Sequence, residues 1–373
     1  MKVKTMPKSH PENVQIKKKY EGFLRRADGK SEKTIAASLA AIDRFFEMNN
    51  HKSLKHFRLE QAESFRQRFE DDSNPKTGKP YSSSTVVSTL KALQHFFAWL
   101  ADQPGYGKIK SMHARYFTPS LADERIARAK RPKNIPTLEQ INRVLKAMPA
   151  NTSIQRRDRA LIAFTALTGM RDAATATVKL RHIDLNKRLV RQDGASMNTK
   201  FNKTFTTFFF PVGAPIRTIF ENWVHELQQD QHFGPSDPAF PKPQMGRDPD
   251  SGFRIEGLSR DHYAGATRFR AIFKDAFEAV GFPYANPHCL RDMIALLGLE
   301  RCKDNLPALK AWSQNLGHSD MMTTLCSYAS LTEAEQGRLL SELEIVKRPN
   351  EHNILQEIRK LVENTSIPLD AKG

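Results

Sequence analysis

The sequence predicts a mainly α protein with a small β-hairpin or sheet: a helical amino-terminal domain followed by an α+β carboxy-terminal domain. Three observations predict it. Apolar residues recur at helical spacing from Val14 to Leu100. A stretch dense in proline, glycine and basic residues then breaks the pattern between positions 102 and 136. Helical spacing resumes after Thr137, and two β-type runs flank one polar segment inside it. A chain of 373 residues has room for two such domains and a tail.

Residues 1–12 are polar and are expected to be mobile. The helical domain then spans 13–118. Val14, Ile16, Tyr20, Phe23 and Leu24 fit a short amphipathic helix ending near Arg25, and Ser31 is an N-cap for a second one carrying Ile35, Leu39, Ile42, Phe45 and Phe46. Leu59, Ala62, Phe65 and Phe69 suggest a third. The segment Asn74 to Pro80 is a turn by composition, after which Ser82 or Ser83 caps a fourth helix bearing Val86, Leu90, Leu93, Phe97 and Leu100. Residues 119–136 read as a basic linker, with Arg125, Arg128, Lys130, Arg131 and Lys133 expected to lie along a polyanion.

The second domain spans 137–340. Thr137 caps a helix with Leu138, Ile141, Val144 and Leu145 on one face, and Arg156 to Ala166 continues as helix. Thr168-Gly169-Met170-Arg171-Asp172 interrupts it, and a further helical stretch is expected to run to Leu180. The β-type runs are Arg188 to Gln192 and Thr204 to Pro211, joined by a long turn. Phe233 to Gly257 reads as a surface loop, Ala266 to Val280 as helix, and Asn286-Pro287-His288 as the start of another. Gly317 suits the left-handed position that ends a helix over Ala311 to Asn315, with Ser319 able to cap the next. After Gly337, Leu339, Leu340, Leu343 and Val346 run into the tail, 341–373, and lead to a second apolar stripe at Ile354, Leu355, Ile358, Leu361 and Val362. That stripe either folds back on its own domain or docks on a neighbouring protomer.

Lys and Arg number 58 against 41 Asp and Glu, a formal charge of +17 that makes nucleic acid the expected partner. No apolar run is long enough to predict a membrane span, and no secretory h-region follows the polar start. Cys289, Cys302 and Cys326 lack metal-type spacing and read as reduced thiols of a cytosolic protein.

One inventory of side chains stands out. Arg171 follows a helix-interrupting turn, and Lys200 and Lys203 lie in the hairpin turn. His288 and Arg291 share a helix face, while His318 precedes Tyr328 by ten positions. Transfer of a phosphoryl group to a tyrosine needs such a set. Guanidinium groups hold the non-bridging oxygens, a phenol forms the covalent intermediate, and a cationic acid protonates the departing oxygen. That chemistry requires no metal, and no tight Asp/Glu cluster suited to magnesium is present in the sequence.

These residues carry a resemblance. Thr168-Gly169-Met170-Arg171 with Leu180-Arg181-His182-Ile183-Asp184 is similar to the first arginine box of the tyrosine recombinases, the family of phage and transposon integrases. Pro287-His288-Cys289-Leu290-Arg291 resembles the family's His-x-x-Arg box, and Leu316-Gly317-His318-Ser319 with Thr323-Thr324 and Tyr328 resembles its nucleophile box. The helical half resembles the core-binding domain, so the likeness covers most of residues 12–340. It departs from the pattern at Ala174, where an acidic residue is common, with Asp172 as a shifted substitute, and in the spacing from His318 to Tyr328, one residue longer than usual.

The resemblance implies a site-specific DNA recombinase that needs no cofactor, metal or ATP. Tyr328 would attack the scissile phosphate to give a 3′-phosphotyrosyl link, with Arg171 and Arg291 clamping the phosphate. His288 and His318 would assist proton transfer, and Lys200, with Lys203 as the alternative, would be the general acid. The implied partner is double-stranded DNA, bound by a homotetramer on paired sites, in a cytoplasmic, nucleoid-associated bacterial protein. Two other readings share the inventory: type IB topoisomerase-like relaxation, and a DNA-binding protein that keeps the fold without cleaving.

Overall fold

The computed structural model describes residues 9–74, 77–129, 133–247, 252–303 and 305–318, with 336–338, 356 and 359 further on. The chain divides into two compact units, Met1–Pro132 and Lys133–Gly373. Tyr328, Ser319, Lys130, Arg131 and the tail stripes lie outside the described residues.

The first unit is helical. Helix α1 (Pro11–Arg26) starts three residues earlier than its apolar spacing suggests, because Pro11 suits a first turn and the His10 ring accepts from the Glu12 N–H. Ser31 caps α2 (Glu32–Met48) by accepting from the Thr34 N–H at 3.3 Å. Helix α3 (Leu59–Asp71) follows, and Ser82 caps α4 (Ser83–Ala101) through the Thr85 N–H at 3.3 Å. The inward faces meet in an aromatic core. Phe45 packs edge-on against Phe97 at 5.2 Å, and Phe97 lies 4.7 Å from Phe117 of a 3-10 turn, Ser111–Phe117. Part of the expected linker is ordered as helix. Ser120 and Asp123 form a capping box that starts α5 (Leu121–Arg128), and Lys91 of α4 pairs with Glu124 at 2.6 Å.

In the second unit, α6 (Leu138–Ala147) and α7 (Ser153–Thr168) begin with capping boxes, Thr137 with Gln140 and Thr152 with Gln155. Helix α7 is the centre of the core: Leu161, Phe164 and Leu167 are at most 1% exposed. The helical stretch expected to reach Leu180 is only α8 (Asp172–Thr175). At its end, Thr175 Oγ1 donates to Arg171 O and Thr177 Oγ1 to Ala174 O, and the Ala174 carbonyl takes the Thr177 N–H in a tighter turn. Strands β1 (Ile183–Asp184), β2 (Leu189–Gln192) and β3 (Phe205–Phe208) form an antiparallel sheet in that order, with Val190 opposite Thr207. Helix α9 (Ala214–His225), to which no element was assigned from sequence, buries Ile216, Phe220 and Trp223.

The expected loop from Phe233 to Gly257 instead contains the first strand of a ribbon and the start of the second. Strands β4 (Pro241–Gly246) and β5 (Arg254–His262) pair antiparallel with two irregularities of register. A two-stranded ribbon has only edges, so Pro241 and Pro243 can sit in it without a missing ladder bond. Arg157, 2% exposed, ties the ribbon to α7 by donating to Pro241 O at 2.8 Å. Helices α10 (Thr267–Glu278), α11 (Pro287–Arg301) and α12 (Leu306–Asn315) complete the described unit.

Candidate active site

Helix α7 ends at Gly169, whose φ of 57° is left-handed. A Cβ there would lie 2.9 Å from Leu316 Cδ2 and 3.2 Å from Ile294 Cδ1, so glycine lets three distant stretches meet. Helix α11 begins where Asn286 Oδ1 accepts from the His288 and Cys289 N–H groups at 2.9 and 3.3 Å. One turn in, it carries Arg291, 3% exposed. Helix α12 ends as its glycine suggests: Gly317 has φ 73°, its N–H donates to Gln314 O at 2.7 Å, and the His318 N–H donates to Ser313 O.

Arg291 joins these ends. Its Nη1 donates to Gly169 O at 2.7 Å, and its Nη2 donates to Leu316 O and lies 3.0 Å from His318 Nε2. A guanidinium cannot accept, so Nε2 accepts and a neutral His318 ring carries its proton on Nδ1. Burial, then the charges of Arg291, Arg171, His288 and Lys200, push the His318 pKa down to about 4. The ring is therefore neutral at pH 7.

His288 is held below the ordinary histidine range by desolvation, which the Asp292 carboxylate opposes and Lys133, Arg291 and Arg171 reinforce. Asp292 is 1% exposed; its Oδ1 lies 3.6 Å from His288 Nε2 and its Oδ2 takes Lys133 Nζ at 2.7 Å. Lys133, expected to lie along a polyanion, is thus paired at the edge of this site. Arg171, at the start of α8, acts electrostatically on both histidines. The shifted acidic substitute does not brace it: the Asp172 carboxylate receives Arg270 Nε and Nη2 at 3.0 and 2.5 Å. Lys200 stands on a 3-10 turn before β3 and is the lysine of that turn whose charge is felt at His318.

The structure thus sets Arg291 against His318 and puts Arg171, His288 and Lys200 within electrostatic reach of that ring. Arg125 and Arg128 belong to α5 of the other unit, where Arg128 pairs with Glu124 at 3.1 Å. Sequence reasoning missed Asp292 and its pairing with Lys133. Its one signal was the placement of a carboxylate four residues after His288 on a helix. Arg171, Arg291 and Lys200 give the site cationic charge that the neutral histidines do not add to, which suits an anion able to take several hydrogen bonds.

The chain has counterparts among known proteins, although no family model matches it. It is similar in sequence to the tyrosine recombinase XerC of Roseiflexus sp. (strain RS-1), 26% identical over 251 residues that cover 65% of this chain and 67% of the relative. It is likewise similar to the tyrosine recombinase XerC of Roseiflexus castenholzii, 24% identical over 247 residues covering 65% and 67%. In fold it is similar to the Tn1549 transposon integrase in complex with transposon right end DNA, with TM-score 0.57, 14% identity, and coverage of 89% of this chain and 99% of that one. A lambda integrase dimer bound to a COC′ core site superposes with TM-score 0.56 at 15% identity, covering 85% and 95%. The fold is that of the tyrosine recombinases. In sequence the chain is similar to tyrosine recombinases named XerC, and in fold to the Tn1549 and lambda integrases.

Proposed function

We propose that the protein is a site-specific DNA recombinase that cuts and rejoins DNA through a 3′-phosphotyrosyl intermediate at Tyr328, without metal or ATP. The observation that carries this reading is the buried Arg291, whose guanidinium binds the Gly169 and Leu316 carbonyls and faces His318. One side chain thereby links the first arginine box, its own box and the start of the nucleophile box.

Arg171 and Arg291 hold the non-bridging oxygens of the scissile phosphate. The Tyr328 oxygen attacks phosphorus and the bond to the 5′-oxygen breaks. Lys200 delivers a proton to that oxygen while a neutral imidazole is free to receive the phenolic one. His288 suits that second task, because His318 Nε2 already accepts from Arg291 and its Nδ1 carries the ring proton. The energy of the broken ester stays in the phosphotyrosine, so a 5′-hydroxyl from another strand reverses the step. Double-stranded DNA is the substrate, and a homotetramer on paired sites is the exchanging assembly.

A duplex nicked next to the cleavage site tests this. Loss of the short leaving fragment prevents rejoining, so a covalent protein–DNA species accumulates. Its absence at every candidate site would favour a non-cleaving DNA-binding protein. Relaxation of supercoils without exchange of partners would favour the topoisomerase reading.

A further inference from the structure

The turn that presents Lys200 holds a residue in an unfavourable state on two counts. Phe201 is 83% exposed and has φ 60°, in the left-handed region where a bulky side chain is rarely found. Asn202 follows at φ 51°. The turn is closed at its base: the Asn202 N–H donates to Thr199 O, Thr199 Oγ1 donates to Lys203 O at 2.9 Å, and the Asn198 N–H donates to Thr177 Oγ1 at 2.9 Å. Met197, 4% exposed, anchors it in the core. A well-held turn thus keeps an aromatic ring in water and in a backbone conformation that glycine would adopt more easily. The gain is visible beside it. The Lys200 ammonium lies over the Phe201 ring, 5.0 Å from its centroid, within the range of cation–π attraction.

We propose that Phe201 is a positioning residue for Lys200, its ring serving as the platform that holds the ammonium on the side of the turn facing the site. The inference rests on the reading of Lys200 as the acid that protonates the leaving 5′-oxygen. An exposed lysine has four rotatable bonds, and an acid that must meet one oxygen gains rate when those rotamers are narrowed. The twisted backbone at Phe201 folds the ring back under the lysine that precedes it, where an extended residue would carry it away.

The test compares two leaving groups. With an ordinary phosphate, Phe201→Leu and Phe201→Gly should slow covalent adduct formation by about fivefold, the scale of one exposed cation–π contact. Phe201→Trp should match the wild type, because it keeps a ring face. With a bridging 5′-sulfur, a leaving group that needs no acid, all three should cleave as fast as the wild type. Glycine is unstrained at this φ, so Phe201→Gly should melt no lower than the wild type. Equal slowing on both substrates would assign the ring to DNA contact or to folding and overturn the proposal, as would full activity of Phe201→Leu on ordinary phosphate. Lys200→Ala is the separate control. If sulfur does not rescue it, the acid assignment fails and this inference with it; if sulfur rescues it and Phe201→Gly stays slow, the platform alone is wrong.

Discussion

The two units are held together by different physics. In the amino-terminal unit the central contacts are rings against rings: Phe45, Phe65, Phe97 and Phe117 are at most 1% exposed. In the carboxy-terminal unit the contact that joins the chain's distant parts is a buried guanidinium on two backbone carbonyls. Apolar packing tolerates exchange at conserved volume, whereas the Arg291 fork depends on where each N–H points. The first arrangement builds a scaffold. The second fixes the geometry of the candidate site and puts a cation in it.

Substitutions should separate the two roles. The largest effect is expected from Phe97→Ala, which empties the centre of the aromatic cluster and should destabilise its unit by about 3–5 kcal/mol. Urea unfolding followed by tryptophan fluorescence would show it, since Trp99 reports on this unit and Trp223 and Trp312 on the other. The rate of adduct formation by folded, DNA-bound protein should be unchanged. A large kinetic defect there would erase the contrast between scaffold and site.

Arg291→Lys comes next. A lysine keeps the charge but cannot reach two carbonyls and His318 in one plane, so adduct formation should fall by about 10²–10³. Single-site DNA affinity should barely move, because one phosphate contact among many is altered. Activity near the wild type would mean that Arg291 supplies only charge.

The smallest effect sharpens the comparison at one histidine. Asp292 raises the His288 pKa and Lys133 lowers it. Asp292→Asn should therefore move the His288 titration, followed by NMR, to lower pH, and Lys133→Met should move it to higher pH. The opposite signs are the test. Shifts in the same direction would show that the pair acts by packing and not by charge.

The same contrast explains what could be read from the sequence. Ser31, Ser82, Thr137 and Asn286 cap helices where their side chains suggest, because capping is decided within one turn. Gly317 ends α12 in the left-handed conformation for the same local reason. The hairpin of β2 and β3 was legible from its β-branched and aromatic runs. The β4–β5 ribbon was not, since Pro241, Pro243 and Gly246 are loop residues by composition and a ribbon tolerates them. Helix α5 hid behind the basic charge of its surroundings. Lys133 and Asp292 are 159 positions apart, and nothing local in either residue announces the other. The residues gathered around His318 were named from motif order, and their meeting depends on Arg291 binding carbonyls, which no side-chain pattern records.

The central claim is that these boxes form one phosphoryl-transfer site whose nucleophile is Tyr328. It is tested most directly by digesting the trapped protein–DNA adduct and sequencing the nucleotide-bearing peptide by mass spectrometry. Trypsin should release residues 311–338 as one peptide, in which Tyr328 is the single tyrosine. The account predicts the phosphodiester on that residue and no adduct from Tyr328→Phe. Attachment at Tyr284, which lies within electrostatic reach of Asp172 and Cys289, would contradict it.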